Sequence, residues 1–238
     1  MINLLAVALC LCICMLVSIM VIWKFRKLKK IDFKYLLLGV SYYFVIRILV
    51  YPLLSVIFNN QNLLFKIGMD ICYLGIISVF IKIILYKKNL QFKKNIQANI
   101  LLVGVGEALA EIVFVLLPAM LNQFLLLITI HFGDIYGYFG GAYAKESIEK
   151  VMNDLHSTSV FYYIWVAVLA VSLIVINLYI MQHIDHISVK SWLFIICFYT
   201  NYLLVPIFSY ELSLVILLSM DYLIMHQFNN DVTIWRRE

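Results

Sequence analysis

Apolar residues along this chain come in long runs, not in the one-sided stripes of a soluble helix. Stretches of more than about 18 apolar residues recur, each long enough to cross a bilayer as a helix. They fall near residues 2–23, 35–58, 63–86, 96–118, 160–182, 191–209 and 211–228. The pattern predicts an all-α, multipass transmembrane helical bundle of about seven spans, forming one integral membrane domain over residues 1–238. A transmembrane barrel would need alternating segments of about ten residues, and the chain has none.

The segment 119–159 breaks the rhythm. Its apolar part, "AMLNQFLLLITIHF", is about 14 residues long, short for a crossing. It is therefore expected to stay on the outer side as a re-entrant or interfacial segment. Beyond it, Ile148, Val151, Met152 and Leu155 follow i, i+3, i+4, i+7 spacing. That spacing predicts a short amphipathic helix lying on the membrane surface or over the bundle.

Composition agrees with the pattern. The 238 residues are 65% hydrophobic and only 13% charged, where a soluble domain carries roughly twice that charge. The net charge of +5 does not point to nucleic acid, because the basic residues cluster in loops beside spans. "KFRKLKKIDFK" carries six of them and "KKNLQFKK" four. By the positive-inside rule both loops are cytoplasmic. That places the N-terminus outside, "NNQN" at 59–62 outside, and the C-terminus with Arg236 and Arg237 in the cytoplasm of a cell-membrane protein.

Met1–Trp23 is apolar with its basic cluster after it, the reverse of a secretory signal, and reads as a retained first span. Abundant Ile, Lys and Asn suggest a low-GC bacterial source. Cys10, Cys12 and Cys14 alternate within the first span, and Cys72 and Cys197 also lie in spans. They read as small hydrophobes, with metal binding or acylation as the alternative for the first three.

The chemistry must then come from polar residues inside the membrane, where an ionisable side chain costs roughly 2.5–3.5 kcal/mol. In "GVGEALAEIVFVLLP" Glu107 and Glu111 are four apart and share one helical face. Gly104, Gly106, Ala108 and Ala110 around them allow another helix to come close. Two carboxylates this near each other should not both ionise in a low dielectric. Such a pair can hold a proton, bind a cation or act in acid–base chemistry.

Counting depth at 1.5 Å per residue puts Arg47 and Glu107 each roughly 18 Å into parallel spans. Asp70, coming from outside, reaches about the level of Glu111. Arg47, Asp70, Glu107 and Glu111 are therefore expected to meet in one buried cluster, with Arg47 facing Glu107. The cluster is either a structural ion pair or a catalytic, ion-binding or substrate-binding centre.

Other polar residues have simpler readings. Lys66 and Lys82 lie within a turn or two of span ends and can snorkel. Asp221 and His226 suit interfacial anchoring better than metal. His183, Asp185 and His186 have ligand types but no further cluster beside them, and His131 and His156 are isolated. There is no nucleotide-binding glycine loop, no Gly-x-Ser-x-Gly elbow and no His-Glu-x-x-His pair, so no cofactor is implied.

A basic loop leading into "FKYLLLGVSYYFVIRILVYPLL", a glycine-bearing third span and then "GVGEALAEI" make a familiar order. In this the chain resembles the YhfC-like membrane peptidases, relatives by analogy of the prenyl-protein (CAAX-type) intramembrane proteases. The likeness covers most of the chain in order and spacing. The family's fourth span shows Gly-x-Gly-His-Gly-Gly-x-Glu, and Gly104, Gly106 and Glu111 match it while Glu107 stands at the histidine. Ser78, Val79 and Lys82 stand where the family has its Glu-Glu-x-x-Arg, and Asn201 stands near its late histidine.

What the resemblance implies is a peptidase fold with its motif degraded. In the family's mechanism, carboxylates and histidines activate water, with or without a metal. Serine, valine and asparagine cannot supply that base or hold zinc. The expected function is binding a hydrophobic or membrane-embedded partner, such as a membrane protein or hydrophobic peptide, without cutting it. Two alternatives stand: an active divergent protease using Glu107 and Glu111, with Asn201 as a further candidate, and a small proton- or cation-coupled transporter built on the polar cluster.

Overall fold

The computed structural model describes residues 2–26, 32–50, 52, 63–88, 97–132, 149–150, 152–155, 157–185 and 187–231. Among these residues there are helices and no strand. Helix α1 is Ile2–Arg26; α2 is Lys34–Phe44, running on through a π-helical stretch, Val45–Val50. Helix α3 joins Leu63–Cys72, a π-helical Tyr73–Ile77 and Ser78–Lys88. Helix α4 joins Gln97–Glu111, a π-helical Ile112–Leu116 and Leu117–Phe132. Then come α5 (Val160–Gln182), α6 (Val189–Leu203), the single turn α7 (Val205–Phe208) and α8 (Tyr210–Asp231).

The all-α bundle is as the apolar pattern predicts. Among the described residues, five helices are long and apolar enough to cross a membrane: Ile2–Arg26, Phe65–Lys87, Asn99–Phe132, Val160–Gln182 and Val189–Phe208. The other two expected spans coincide with α2, described through Val50 and at Pro52, and with α8.

Contacts fix the helix directions. Asp32 N donates to Asn99 Oδ1 (3.1 Å) at one end and Arg47 reaches Glu111 further along, so α2 runs parallel to α4. The Tyr73 hydroxyl donates to Ile46 O, and the Tyr86 hydroxyl donates to Asp185 Oδ2 (3.0 Å) at the opposite end, so α3 runs the other way. Asn3 Nδ2 donates to Leu155 O and Thr158 O just before α5, and Phe25 packs with Leu101, Met181 and Ile184, so α1 lies parallel to α5. Trp165 Nε1 donates to Ser213 Oγ and Ser172 Oγ to Asp221 Oδ2, which makes α8 parallel to α5 as well. Successive long helices thus alternate in direction.

Helix α4 is the axis of the bundle. Residues 99–112 are buried without interruption, as expected of a helix apolar on every side. In a bilayer, where lipid is as apolar as leucine, close packing more than the hydrophobic effect would drive the association of such helices. Two glycines in α4 serve two neighbours. A Cβ on Gly106 would run into Leu36 O, with Gly39 Cα at 3.2 Å, so this position meets α2. A Cβ on Gly104 would lie 2.7 Å from Asn177 O, so this one meets α5.

Residues 119–132, expected as a separate re-entrant or interfacial segment, are the last part of α4, which passes Pro118 without a break. Proline lacks the N–H and its ring clashes with the carbonyl four residues back. The π-helical stretch Ile112–Leu116 sits just before it, where the widened ladder relieves that clash. The 34 residues from Asn99 to Phe132 make a helix about 51 Å long, well beyond a hydrocarbon core of about 30 Å.

The end of α4 and the start of α5 share one end of the bundle, where Leu127, Leu155 and Tyr163 join one core cluster. Residues 152–155 are helical and Leu155 is buried; Ile148, Val151 and His156 lie outside the described residues, as do residues 59–62, Arg236 and Arg237. Single cysteines at Asn153 and Lys190, in a chain with its native cysteines replaced, should therefore label from opposite faces of a sealed vesicle. Labelling from the same face would mean that α5 does not cross.

Candidate functional site

Five helices contribute to one small cavity beside α4. Its walls are Tyr43, Ile46 and Arg47 from α2, Leu74 and Ser78 from α3, Glu107 and Glu111 from α4, Leu173 and Asn177 from α5, and Tyr199 and Tyr202 from α6. Its volume is about 30 Å3, room for about two waters.

Four charges surround it. Arg47 Nη2 donates to Glu111 Oε1 at 2.6 Å, with the Tyr43 ring 5.9 Å from the guanidinium. Lys82 Nζ lies 2.9 Å from Glu107 Oε2 and donates to Asn177 Oδ1 at 3.1 Å. Asn177 is itself held by donating from Nδ2 to Leu173 O at 2.9 Å. Lys82 is thus pinned between α4 and α5, and Glu107 Oε2 has the ion contact without an aligned hydrogen bond. Two cations and two carboxylates leave the set neutral, the condition for keeping it in a low dielectric.

The two pairs differ in access. The side chains of Lys82 and Glu107 are 2% and 10% exposed, whereas Arg47 is 26% exposed beside a 9% exposed Glu111. One pair is sealed and the other stands at the rim.

Each helix that carries a charge to this site has a π-helical stretch beside it. Arg47 lies within Val45–Val50, Tyr73–Ile77 leads directly to Ser78, and Ile112–Leu116 follows Glu111. Single-turn π segments are frequent at functional sites. Two of these have a local cause in sequence, since Pro52 and Pro118 each follow two residues after the stretch ends.

Sequence and structure agree on the elements of this site and differ on its pairing. Arg47, Glu107 and Glu111 do come together, but Arg47 holds Glu111, one turn along from the expected Glu107. Asp70 does not join them: it is half-buried, outside the cavity wall and in none of the ion pairs among the described residues. Matched depth says nothing of the direction in which a side chain leaves its helix. Lys82 does not snorkel; it is the most deeply buried charge of the four.

Asn201 is also elsewhere. Its Nδ2 donates to Ser213 O (3.1 Å) and Ser213 Oγ donates back to Asn201 O (3.2 Å), tying α6 to α8. Tyr199 and Tyr202, three apart on α6, face the cavity, which turns Asn201 away from it.

Sequence reasoning missed Lys82, Asn177 and the two α6 tyrosines. A signal for Lys82 was present: Gly75, Ser78 and Lys82 form a small and polar stripe along α3, while Phe80 and Ile84 face outward. Asn177, deep in the apolar α5, needed a partner for the same reason the acids did.

Among the described residues, no three of His, Cys, Asp and Glu converge as a metal-holding group. The site's chemistry is that of fixed ion pairs, phenolic and serine hydroxyls and an amide around a wettable space. Comparison with protein-family models, curated proteins and solved structures finds no match.

Proposed function

We infer that this protein is a multipass membrane protein that binds a hydrophobic or membrane-embedded partner without hydrolysing it. The observation that carries the reading is that both acids are already committed, Glu111 to Arg47 and Glu107 to Lys82. A general base needs a carboxylate or imidazole free to take a proton from water. Here each candidate is neutralised by a cation, and Asn201 lies away from both.

The same pairing weakens the divergent-protease alternative. It leaves the family likeness to the YhfC-like peptidases as a proposal about ancestry and shape, carried by Gly104, Gly106 and Glu111. Partner binding has surface to use: only 28% of the apolar stretch within Val189–Phe208 and 39% of that within Phe65–Lys87 is buried within the bundle. Orientation with the N-terminus outside and the C-terminus cytoplasmic follows from the basic loops. The transporter reading is kept by the cavity the four charges share.

The test uses purified full-length protein in lipid nanodiscs with a leucine-rich transmembrane peptide carrying a quencher. Trp192 on α6, stacked on Phe80 at 5.4 Å, reports binding at that face. Saturable quenching without peptide cleavage is expected. Cleavage that disappears in Glu111→Gln would establish the protease instead, and quenching no stronger than simple lipid dilution predicts would remove the binding role.

A further inference from the structure

Taking partner binding as the function, we propose that α5 and α8 together present a docking face for a transmembrane helix of another protein. That helix carries one basic residue at mid-span, a lysine by preference, and the residue pairs with Asp221.

Asp221, expected as an interfacial anchor, lies deeper than that. Its Oδ2 accepts from Ser172 Oγ at 2.6 Å, and Ser172 stands midway along the 23 residues of α5, a helix long and apolar enough to cross a membrane. A carboxylate at that depth needs a cation or several donors. Glu107 and Glu111 each have their cation, and Asp221 does not. It belongs to none of the ion pairs among the described residues, and neither α5 nor α8 carries a Lys or Arg. On α6, which also packs on α8, the one basic residue is Lys190, in the first turn. Even the serine bond is contested, because the one hydroxyl proton of Ser172 also has Val168 O within reach at 3.1 Å. Asp221 Oδ1 is buried with no hydrogen-bond partner.

Helical periodicity places the open side. On α8, Leu214, Leu218, Asp221 and Met225 follow the four-three-four spacing of a seam that packs lengthwise on another helix. Leu218 and Met225 are exposed, while Leu214 and Asp221 are half-buried. Ser213, which bonds Asn201 of α6, lies on the other flank of α8. On α5, Ile164, Val168 and Val171 make a row beside Ser172, with Ile164 and Val171 exposed. Leu173, on the other side of Ser172, faces the cavity that α6 helps to close. Both rows therefore open on the side away from α6, and Asp221 stands between them.

Charge complementarity then selects the occupant. Lipid tails cover leucine, valine and methionine as well as a protein does, but they have nothing to offer a carboxylate. A helix laid along the two rows covers the same apolar surface and brings a cation to the level of Asp221. A lysine suits the geometry better than an arginine. Its compact ammonium, on a flexible four-carbon stem, reaches a carboxylate set back at the edge of the groove, where a planar guanidinium is too wide. One polar position in an otherwise apolar seam also fixes register and rejects helices that lack the matching charge.

Two leucine-rich transmembrane peptides test the pairing, identical except for a lysine or a leucine at the centre. The full-length protein, with its native cysteines replaced, carries a dye through Tyr222→Cys on the exposed side of α8 and sits in nanodiscs; each peptide carries a quencher. The lysine peptide is expected to bind about tenfold more tightly than the leucine peptide. Asp221→Asn keeps an acceptor for Ser172, so it should fold by circular dichroism, yet bind the two peptides equally. Equal binding of both peptides with Asp221 in place would overturn the proposal. So would a lysine preference that persists in folded Asp221→Asn. The peptide comparison needs no change at Asp221, so it decides the matter even where that variant fails to fold. Saturable quenching of Trp192 by the leucine peptide, beside equal binding at α8, would remove this site and leave partner binding in place. Quenching by neither peptide above lipid dilution, at either helix, would remove both.

Discussion

Gly106→Ala is expected to remove most of the folded bundle, although alanine is ordinarily the better helix former. A Cβ at Gly106 falls well inside contact distance of Leu36 O, and one at Gly39 would do the same to Val103 O, with Glu107 N at 3.0 Å. The obstacle in each case is a backbone carbonyl, which cannot rotate aside as a side chain would. Helices α2 and α4 would have to separate, and that moves Arg47 from Glu111 further along the same interface. Overpacking typically costs about 1–3 kcal/mol when side chains can repack; here the upper end is expected.

Gly68 is the control. Nothing lies within 4 Å of a Cβ there, so Gly68→Ala should be neutral or stabilising by up to about 1 kcal/mol. Unfolding in a graded denaturing detergent, followed by circular dichroism, ranks the variants. Equal stability of Gly106→Ala and Gly68→Ala would mean that the α2–α4 contact is not as close as described.

These two glycines also show what the sequence made legible. Small residues beside Glu107 and Glu111 signal a close helix, but not that Gly104 and Gly106 serve different neighbours, α5 and α2. Two residues apart on a helix means opposite sides, and one sequence does not say which helix stands on which. The helices themselves were legible because an apolar run of bilayer length has few alternatives.

The acids and Arg47 were legible because a charge in that setting demands a partner. Their pairing was not, because matched depth ignores direction and because straight-helix counting ignores the π-helical turn on which Arg47 sits. Helix α4 was ended at residue 118 because the apolar stretch after it, about 14 residues, is short for a crossing of its own, whereas the preceding π-helical stretch lets the helix continue to Phe132. Prolines at 52 and 118 inside apolar runs were the available signal for both irregular turns.

Lys82→Met should be the most damaging single change in the charge set. Its side chain is 2% exposed and its ammonium bridges Glu107 and Asn177, so removing it leaves a buried carboxylate and a buried amide oxygen without their cation. Breaking one side of a buried pair costs about 3–5 kcal/mol, because the partner's charge stays behind uncompensated. Arg47→Leu should cost less, since Arg47 is 26% exposed and water or headgroups can reach Glu111 from the rim.

The decisive variant is the double change Lys82→Met with Glu107→Leu. If the single variant fails because of the stranded charge, removing both charges should recover most of the lost stability. A well-packed apolar replacement of a buried pair is often neutral or better. The double-mutant cycle should then show a coupling of about 2–3 kcal/mol between positions 82 and 107, and little coupling between 82 and the distant Asp70. Unfolding midpoints in mixed detergent give all four corners. A double variant as unstable as the sum of its parts would show that Lys82 and Glu107 act separately, and the sealed pair would no longer account for how α3 is held beside α4.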